Sequence, residues 1–207
     1  MTGPFRIAVL VSGSGTNLQA LIDTVHGKEI EIACVAASRP DAAALGHAER
    51  AGIETGVFAS DTPGERGARD AALAEWLEGR RVELVVLAGW MELLGHGFIR
   101  RFAGRIINVH PSLLPAFAGL QAIEQAIAHG VKVSGVTVHF VDEGIDTGAI
   151  VLQESLDLSY PEAIADIEKR VHGVEHRLLP RAVRLIAEGR VRLDPDNPRL
   201  VLIDDGD

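Results

Sequence analysis

Cysteine is nearly missing: Cys34 stands alone among 207 residues. No intramolecular disulfide can therefore staple the fold. Cys34 lies in the apolar run Glu31-Ile32-Ala33-Cys34-Val35-Ala36-Ala37, where a small buried hydrophobe is expected rather than a reactive thiol. Basic charge is scarce as well. Lys and Arg number 20 against 29 Asp and Glu, a net charge of −9, and a nucleic-acid surface needs the opposite balance. An anionic small molecule stays admissible, because backbone N–H groups can hold a phosphate locally. The first apolar stretch, residues 5–11, contains Arg6 and lacks a cleavage-like tail. It is far shorter than the roughly 20 residues of a membrane span, so neither a span nor a signal peptide is expected there. The expected compartment is the cytoplasm. The spacings H-E-x-x-H and C-x-x-C do not occur, so no metal is expected. With neither repeats nor a low-complexity linker, one domain is expected over residues 1–207.

What is present reads first as alternating strands and helices. Strands are expected over residues 5–11, 30–37, 53–58, 84–88 and 106–110. Helices are expected over 17–26, 41–51, 65–77 and 97–102. Strands spaced by helices imply right-handed crossovers and a mostly parallel sheet with both faces covered, an α/β, Rossmann-like fold. The second half changes character. A helix over 120–129 precedes a strand at 132–141, in which Val136, Val138 and Phe140 alternate with Thr137, His139 and Val141. Residues 149–156 are expected to pair with it antiparallel. A long amphipathic helix should run from Pro161 to about 188, and residues 190–193 and 199–203 can form a small hairpin.

Ligands in such sheets bind beyond the carboxyl ends of the strands. Gly13-Ser14-Gly15, Met91 and His110 all fall at such ends, which suggests one shared cleft. Ser12-Gly13-Ser14-Gly15-Thr16-Asn17 joins the first strand to the first helix. A dinucleotide loop would carry a third glycine where Leu18 stands, and a Walker loop would carry a lysine. A single phosphate monoester fits better than NAD or ATP. The other reading, an ordinary turn capped by Thr16 or Asn17, stays open.

The richest stretch is Asn108-Val109-His110-Pro111-Ser112-Leu113-Leu114-Pro115, with Asp146 in the later Asp142-Glu143-Gly144-Ile145-Asp146-Thr147-Gly148. Side chains alternate along a strand, so Asn108 and His110 share a face. An amide and an imidazole side by side can meet one developing oxyanion. A carboxylate on a glycine-bracketed loop can orient that imidazole and hold it protonated. Together these suggest acyl or formyl transfer. His139 shares the face of Thr137 and is read chiefly as packing, with reach into the site as the alternative. Ser112 invites a serine-nucleophile reading, but it lies two residues from His110 across a proline and no G-x-S-x-G elbow exists.

These residues resemble a family. The opening Val9-Leu10-Val11-Ser12-Gly13-Ser14-Gly15-Thr16-Asn17-Leu18-Gln19-Ala20 carries the likeness. So do Leu87-Ala88-Gly89-Trp90-Met91, the run from Ile107 to Pro115, Gly135-Val136-Thr137-Val138-His139-Phe140-Val141-Asp142 and Asp146-Thr147-Gly148. They are similar to the folate-dependent formyltransferases, in particular the phosphoribosylglycinamide formyltransferase branch, from about residue 7 to at least 185. The resemblance implies transfer of a formyl group from 10-formyltetrahydrofolate to the amine of glycinamide ribonucleotide, a step of purine synthesis. It implies that Gly15, Thr16 and Asn17 hold the 5′-phosphate and that Glu175 binds the ribose hydroxyls. Met91, Glu92, Leu93 and Leu94 would line the folate pocket, largely through backbone groups, and Arg66 would meet the folate carboxylates. Asn108 and His110 would act on the formyl group, with Asp146 raising the pKa of His110.

The residue pattern then divides into a phosphate-binding half, about 1–105, and a catalytic and folate-binding half after it. The chain departs from the family's pattern at Ala118, Gln121, Ile123, Glu92 and Ala149, which bears on the shape and charge of the pocket entrance and on affinity for polyglutamated folate. The ligands expected are these two small molecules, without nucleic acid or membrane, in a monomer or homodimer. The alternative is a formyltetrahydrofolate hydrolase or another folate-dependent formyltransferase. A hydrolase would carry an extra N-terminal module, whereas this sequence starts at the first strand. A transfer-RNA formyltransferase would need a basic ending, which Ile203-Asp204-Asp205-Gly206-Asp207 does not supply.

Overall fold

The structure, a computed structural model, describes residues 3–60, 62 and 64–204. The acidic ending Asp205-Gly206-Asp207 lies outside the described residues. The chain divides into two compact units, Met1–Ile107 and Asn108–Asp207.

The first unit is built on β1 (Phe5–Val11), β2 (Ile30–Ala37), β3 (Thr55–Val57), β4 (Leu84–Leu87) and the start of β5 (Ile106–His110). Ile7, Ala8, Val9, Leu10 and Val11 are all inaccessible to water, as an unbroken apolar run in a doubly covered sheet should be. β1 pairs in parallel with β2 on one side and β4 on the other, and β2 pairs in parallel with β3. The helices between them are α1 (Thr16–Thr24), α2 (Ala44–Arg50), α3 (Arg66–Gly79) and α4 (His96–Arg101). The order β3-β2-β1-β4-β5 has a consequence through crossover handedness. Right-handed connections running outward from β1 to β3 put α1 and α2 on one face, and the return through β4 and β5 puts α3 and α4 on the other. The contacts agree: α1 packs on α2 and α3 on α4. The direction of winding reverses between β1 and β4. That switch point is where such sheets open a crevice at their carboxyl ends.

In the second unit β5 continues into the order β5-β6-β7, with β6 (Val133–Phe140) antiparallel to β7 (Ile150–Asp157). Two helices, α5 (Ala122–Ala128) and α6 (Ile164–Ala187), complete this unit, together with the antiparallel hairpin β8 (Val191–Leu193) and β9 (Val201–Ile203). Along α6, Ile167, Val171, Val174, Leu178, Ala182 and Leu185 are buried. Steps of three and four keep them on one stripe, and that stripe packs on β6 and β7.

Three helices start later than the sequence suggests. Asp41 does not open α2, because its carboxylate is forked by Arg39 at 2.6 and 2.5 Å. The helix over 120–129 begins only at Ala122, because Gln121 sits at a positive φ of 58°. α6 begins at Ile164 after an extended Ala163. Both faces of β6 are covered. Residues 134–140 are all buried, because α6 covers one face and the segment after His110 folds over the other. There the Thr137 hydroxyl donates to the Ser112 carbonyl (2.7 Å) and accepts from the Leu114 N–H (3.1 Å) and the Gln153 amide (2.9 Å). Cys34 is buried, and burial pushes its thiol up to about 12, which keeps it an inert core residue.

Candidate active site

At the switch point of the first unit, β1 is followed by Ser12 and the turn 13–15. Gly15 adopts φ 77° and caps α1 without a side-chain cap bond. The expected cap by Thr16 or Asn17 is therefore not how this helix starts. The glycine has its own structural reason. A Cβ there would lie 2.6 Å from the Ala44 backbone, so the turn is pressed onto α2. Gly13, Ser14 and Thr16 face solvent, and the helix N-terminus directs its first N–H groups outward.

The loop after β4 returns to the same strand end. Ser12 N–H donates to the Gly89 carbonyl (3.0 Å), the Met91 N–H donates to Ser12 Oγ (2.9 Å), and Ser38 Oγ donates to that same hydroxyl (2.7 Å). Met91 and Leu93 expose their side chains, while Glu92 and Leu94 are half-buried. Arg66, the first residue of α3, is half-buried.

In the second unit, β5 delivers Asn108 and His110 on one face. The tight return after β6 delivers Asp146, held at φ 52°. That return needs Gly148, where a Cβ would fall 1.8 Å from the Phe140 carbonyl oxygen. The expected trio is thus brought together. Asp146 Oδ1 lies 3.5 Å from Asn108 Nδ2 and 3.5 Å from His139 Nε2. Its Oδ2 lies 3.4 Å from His110 Nδ1 and accepts the Gly119 N–H at 2.8 Å. Burial alone would raise the Asp146 carboxyl. The hydrogen bonds from His139 and the Gly119 N–H, with the charges of His110 and His139, outweigh it and hold the carboxyl below its ordinary value.

His110 is buried, and its Nε2 lies 2.9 Å from the Phe117 carbonyl. A carbonyl only accepts, so Nε2 carries a proton. Its other ring nitrogen, Nδ1, faces Asp146 Oδ2 at 3.4 Å. His139 is the residue that the sequence pattern undervalued. Its Nδ1 meets the Phe140 carbonyl at 2.8 Å, and its Nε2 approaches Asn108 Nδ2 at 3.3 Å. The nitrogen that reaches the cluster can accept from the amide or donate to Asp146.

A cavity of about 280 Å³ opens beside Asp146, walled by Leu114, Pro115, Ala118, Ile145, Ile150 and Arg199. It is apolar with one carboxylate and one guanidinium, and its size is near the lower end for small-ligand sites. Ser112 has no part in it. Its hydroxyl donates to the Ala116 carbonyl at 2.6 Å and the residue is fully buried, so it is a structural tie and not a nucleophile. Glu175 is buried on α6, with Oε2 2.8 Å from His172 Nδ1. That hydrogen bond raises the His172 imidazole above its ordinary value.

Comparison with known proteins identifies the family. The family model described as formyl transferase matches residues 5–183. The phosphoribosylglycinamide formyltransferase of Haemophilus influenzae is 43% identical over 190 residues, covering 91% of this chain and 90% of that one. The crystal structure of glycinamide ribonucleotide transformylase 1 from Symbiobacterium toebii superposes with a TM-score of 0.93 at 44% identity, covering 99% of this chain and 96% of that one. A formyltetrahydrofolate deformylase from Pseudomonas syringae shares the fold, with a TM-score of 0.90. Its identity is 27%, and the match covers 99% of this chain but 67% of that one. With a family match across most of its length and a relative of this identity over nine-tenths of both proteins, the chain belongs to the formyl transferase family.

Proposed function

We propose that the protein transfers the formyl group of 10-formyltetrahydrofolate to the amine of glycinamide ribonucleotide. The observation that carries this reading is the Asp146 carboxylate set among His110, His139 and Asn108 at 3.4 to 3.5 Å. The amine nitrogen attacks the formyl carbon, and the carbonyl becomes an oxyanion. The Asn108 amide and the His110 imidazolium, which exchanges the Phe117 carbonyl for the oxyanion, stabilise that charge. Asp146 holds the imidazolium and, directly or through a water, moves the amine proton toward the leaving folate nitrogen. The bond from carbon to that nitrogen then breaks, giving formylated ribonucleotide and tetrahydrofolate. No covalent enzyme intermediate is needed.

The other assignments follow the family pattern. In the first unit, the turn at Gly15, Thr16 and Asn17 receives the 5′-phosphate. Met91, Glu92, Leu93 and Leu94 face the folate, with Arg66 toward its carboxylates. In the second unit, Glu175 takes the ribose hydroxyls and Asn108 also meets the folate. We read residues 1–207 as one formyltransferase domain acting on small molecules in the cytoplasm, as a monomer or homodimer. Among the described residues no helix is long and apolar enough to cross a membrane.

The fate of a labelled formyl group tests the proposal. With both substrates present, label should appear in the ribonucleotide, at a rate that depends on glycinamide ribonucleotide. Release of the label as formate at the same rate with or without the nucleotide would indicate the hydrolase reaction instead.

A further inference from the structure

Beneath the loop 90–95 lies a charged residue that no part of the mechanism uses. Arg69, on α3, has a side chain only 2% exposed. Its guanidinium makes hydrogen bonds in three directions. Nε and Nη2 both donate to Asp70 Oδ1, at 2.9 and 2.7 Å. Nη2 also donates to the Leu93 carbonyl at 2.7 Å, and Nη1 donates to Glu92 Oε2 at 3.2 Å. Asp70 uses its second oxygen separately, with Oδ2 accepting the Gly95 N–H at 2.7 Å. The same guanidinium lies 5.6 Å from the centre of the Trp90 ring. One buried pair on α3 thus fixes the side chain of residue 92, the carbonyl of 93 and the N–H of 95. From the opposite side, Ser12 Oγ fixes the N–H of Met91.

Stability alone explains this poorly. Burying a guanidinium is costly, and an apolar side chain could fill the space under a loop at less expense. What a planar, multidentate donor supplies is direction. It turns the Leu93 carbonyl toward α3 and away from any ligand, and so settles which backbone groups of the loop remain to face one. Met91 and Leu93 meanwhile keep their side chains 68% and 57% exposed, which is the pattern of a contact surface on a fixed backbone.

We infer that Arg69, with Asp70 as its brace, is a positioning residue that holds the 91–95 backbone in register for the fused heterocycle of the folate cosubstrate. This rests on the reading of that loop as the folate wall. A flat heterocycle with hydrogen-bonding edges is read by backbone donors and acceptors at fixed spacing. Misplacing them by a fraction of an ångström weakens binding without touching the transferred group.

The test measures both substrates in the whole enzyme. Arg69→Met should raise KM and the dissociation constant for 10-formyltetrahydrofolate by about tenfold. Its kcat and the KM for glycinamide ribonucleotide should stay within about twofold, the signature of lost binding rather than lost chemistry. Arg69→Lys keeps the charge without the fork and should recover only part of the loss. Glu92→Gln should raise the folate constants by about threefold alone and by nothing further in the Arg69→Met background, because the two act through one contact. Unchanged folate constants in the folded variants, or equal weakening for both substrates, would overturn the inference. Should Arg69→Met fail to fold, Arg69→Lys and Glu92→Gln decide it, and unchanged folate constants in both overturn it. Wild-type protein that shows no folate-dependent turnover would instead remove the functional reading underneath.

Discussion

The loop after β4 and the cluster around Asp146 are held by bonds of different quality. Leu93 and Gly95 are tied at 2.7 Å and Met91 at 2.9 Å. In the turn just before α1, Gly15 leaves no room for even one added carbon against Ala44. Around Asp146 the contacts to Asn108, His139 and His110 run from 3.4 to 3.5 Å, and only the Gly119 N–H is short. A surface that must present backbone groups to a ligand is best built rigid before the ligand arrives. Groups that follow a moving charge gain from slack, because catalytic hydrogen bonds often tighten only when the reacting atoms are present. Substitutions in the loose cluster should therefore change turnover, and substitutions in the tight regions should change folding or affinity.

The largest effect should come from His110→Ala. Removing an oxyanion donor lowers kcat by about 10² to 10³, while the lost bond to Phe117 costs about 1 kcal/mol of stability. Steady-state kinetics beside a thermal melt separates the two. Gly15→Val should act the other way, with a lower melting temperature and a loss of roughly 2 to 3 kcal/mol from the positive φ and the collision with α2. Gly13→Ala, which meets nothing within 4 Å, should melt like the wild type. If Gly15→Val folds normally and loses only nucleotide affinity, the turn is less constrained than the packing indicates.

His139→Ala should lower kcat by about tenfold, a change of roughly 1.4 kcal/mol in barrier. It removes one partner of Asp146 and leaves Asn108, His110 and the Gly119 N–H in place.

The smallest effects are in the pH dependence of stability. His172 has a raised pKa when folded, from its hydrogen bond to Glu175. Its stabilising contribution is therefore complete below about pH 6.5 and lost as pH rises through the folded value. Asp146 has a lowered pKa, so its contribution is present above about pH 3.9 and lost as pH falls through the folded value. Urea unfolding of His172→Ala across pH 5 to 9 should show a flatter alkaline limb than the wild type. Parallel limbs would mean that the exposed imidazole gains nothing from Glu175.

The parallel sheet was legible because its strands are unbroken apolar runs separated by amphipathic helices. Asn108, His110 and Asp146 were legible because an amide, an imidazole and a glycine-flanked carboxylate stand at strand ends with no packing duty suited to them. His139 was undervalued for a physical reason. Alternation along β6 reads His139 as packing, and it carries no sign of what lies opposite; only the return after β6, which brings Asp146 to 3.5 Å, puts its Nε2 in the cluster. The delayed start of α5 was hidden for a similar reason, since nothing in Leu120-Gln121-Ala122 announces a positive φ at Gln121. Arg69 was illegible. An arginine beside an aspartate on a helix reads as solvated charge, and only the loop lying over α3 makes it an interior group.

The comparison between tight and loose regions turns on Asp146. The most direct measurement is kcat for Asp146→Asn, taken with calorimetric dissociation constants for both substrates and a melting curve. Turnover should fall by at least about 10²-fold, while the dissociation constants and the melting temperature stay close to the wild type. Near-normal turnover, or a loss accounted for entirely by weakened binding or unfolding, would contradict the assignment of Asp146 to the transition state.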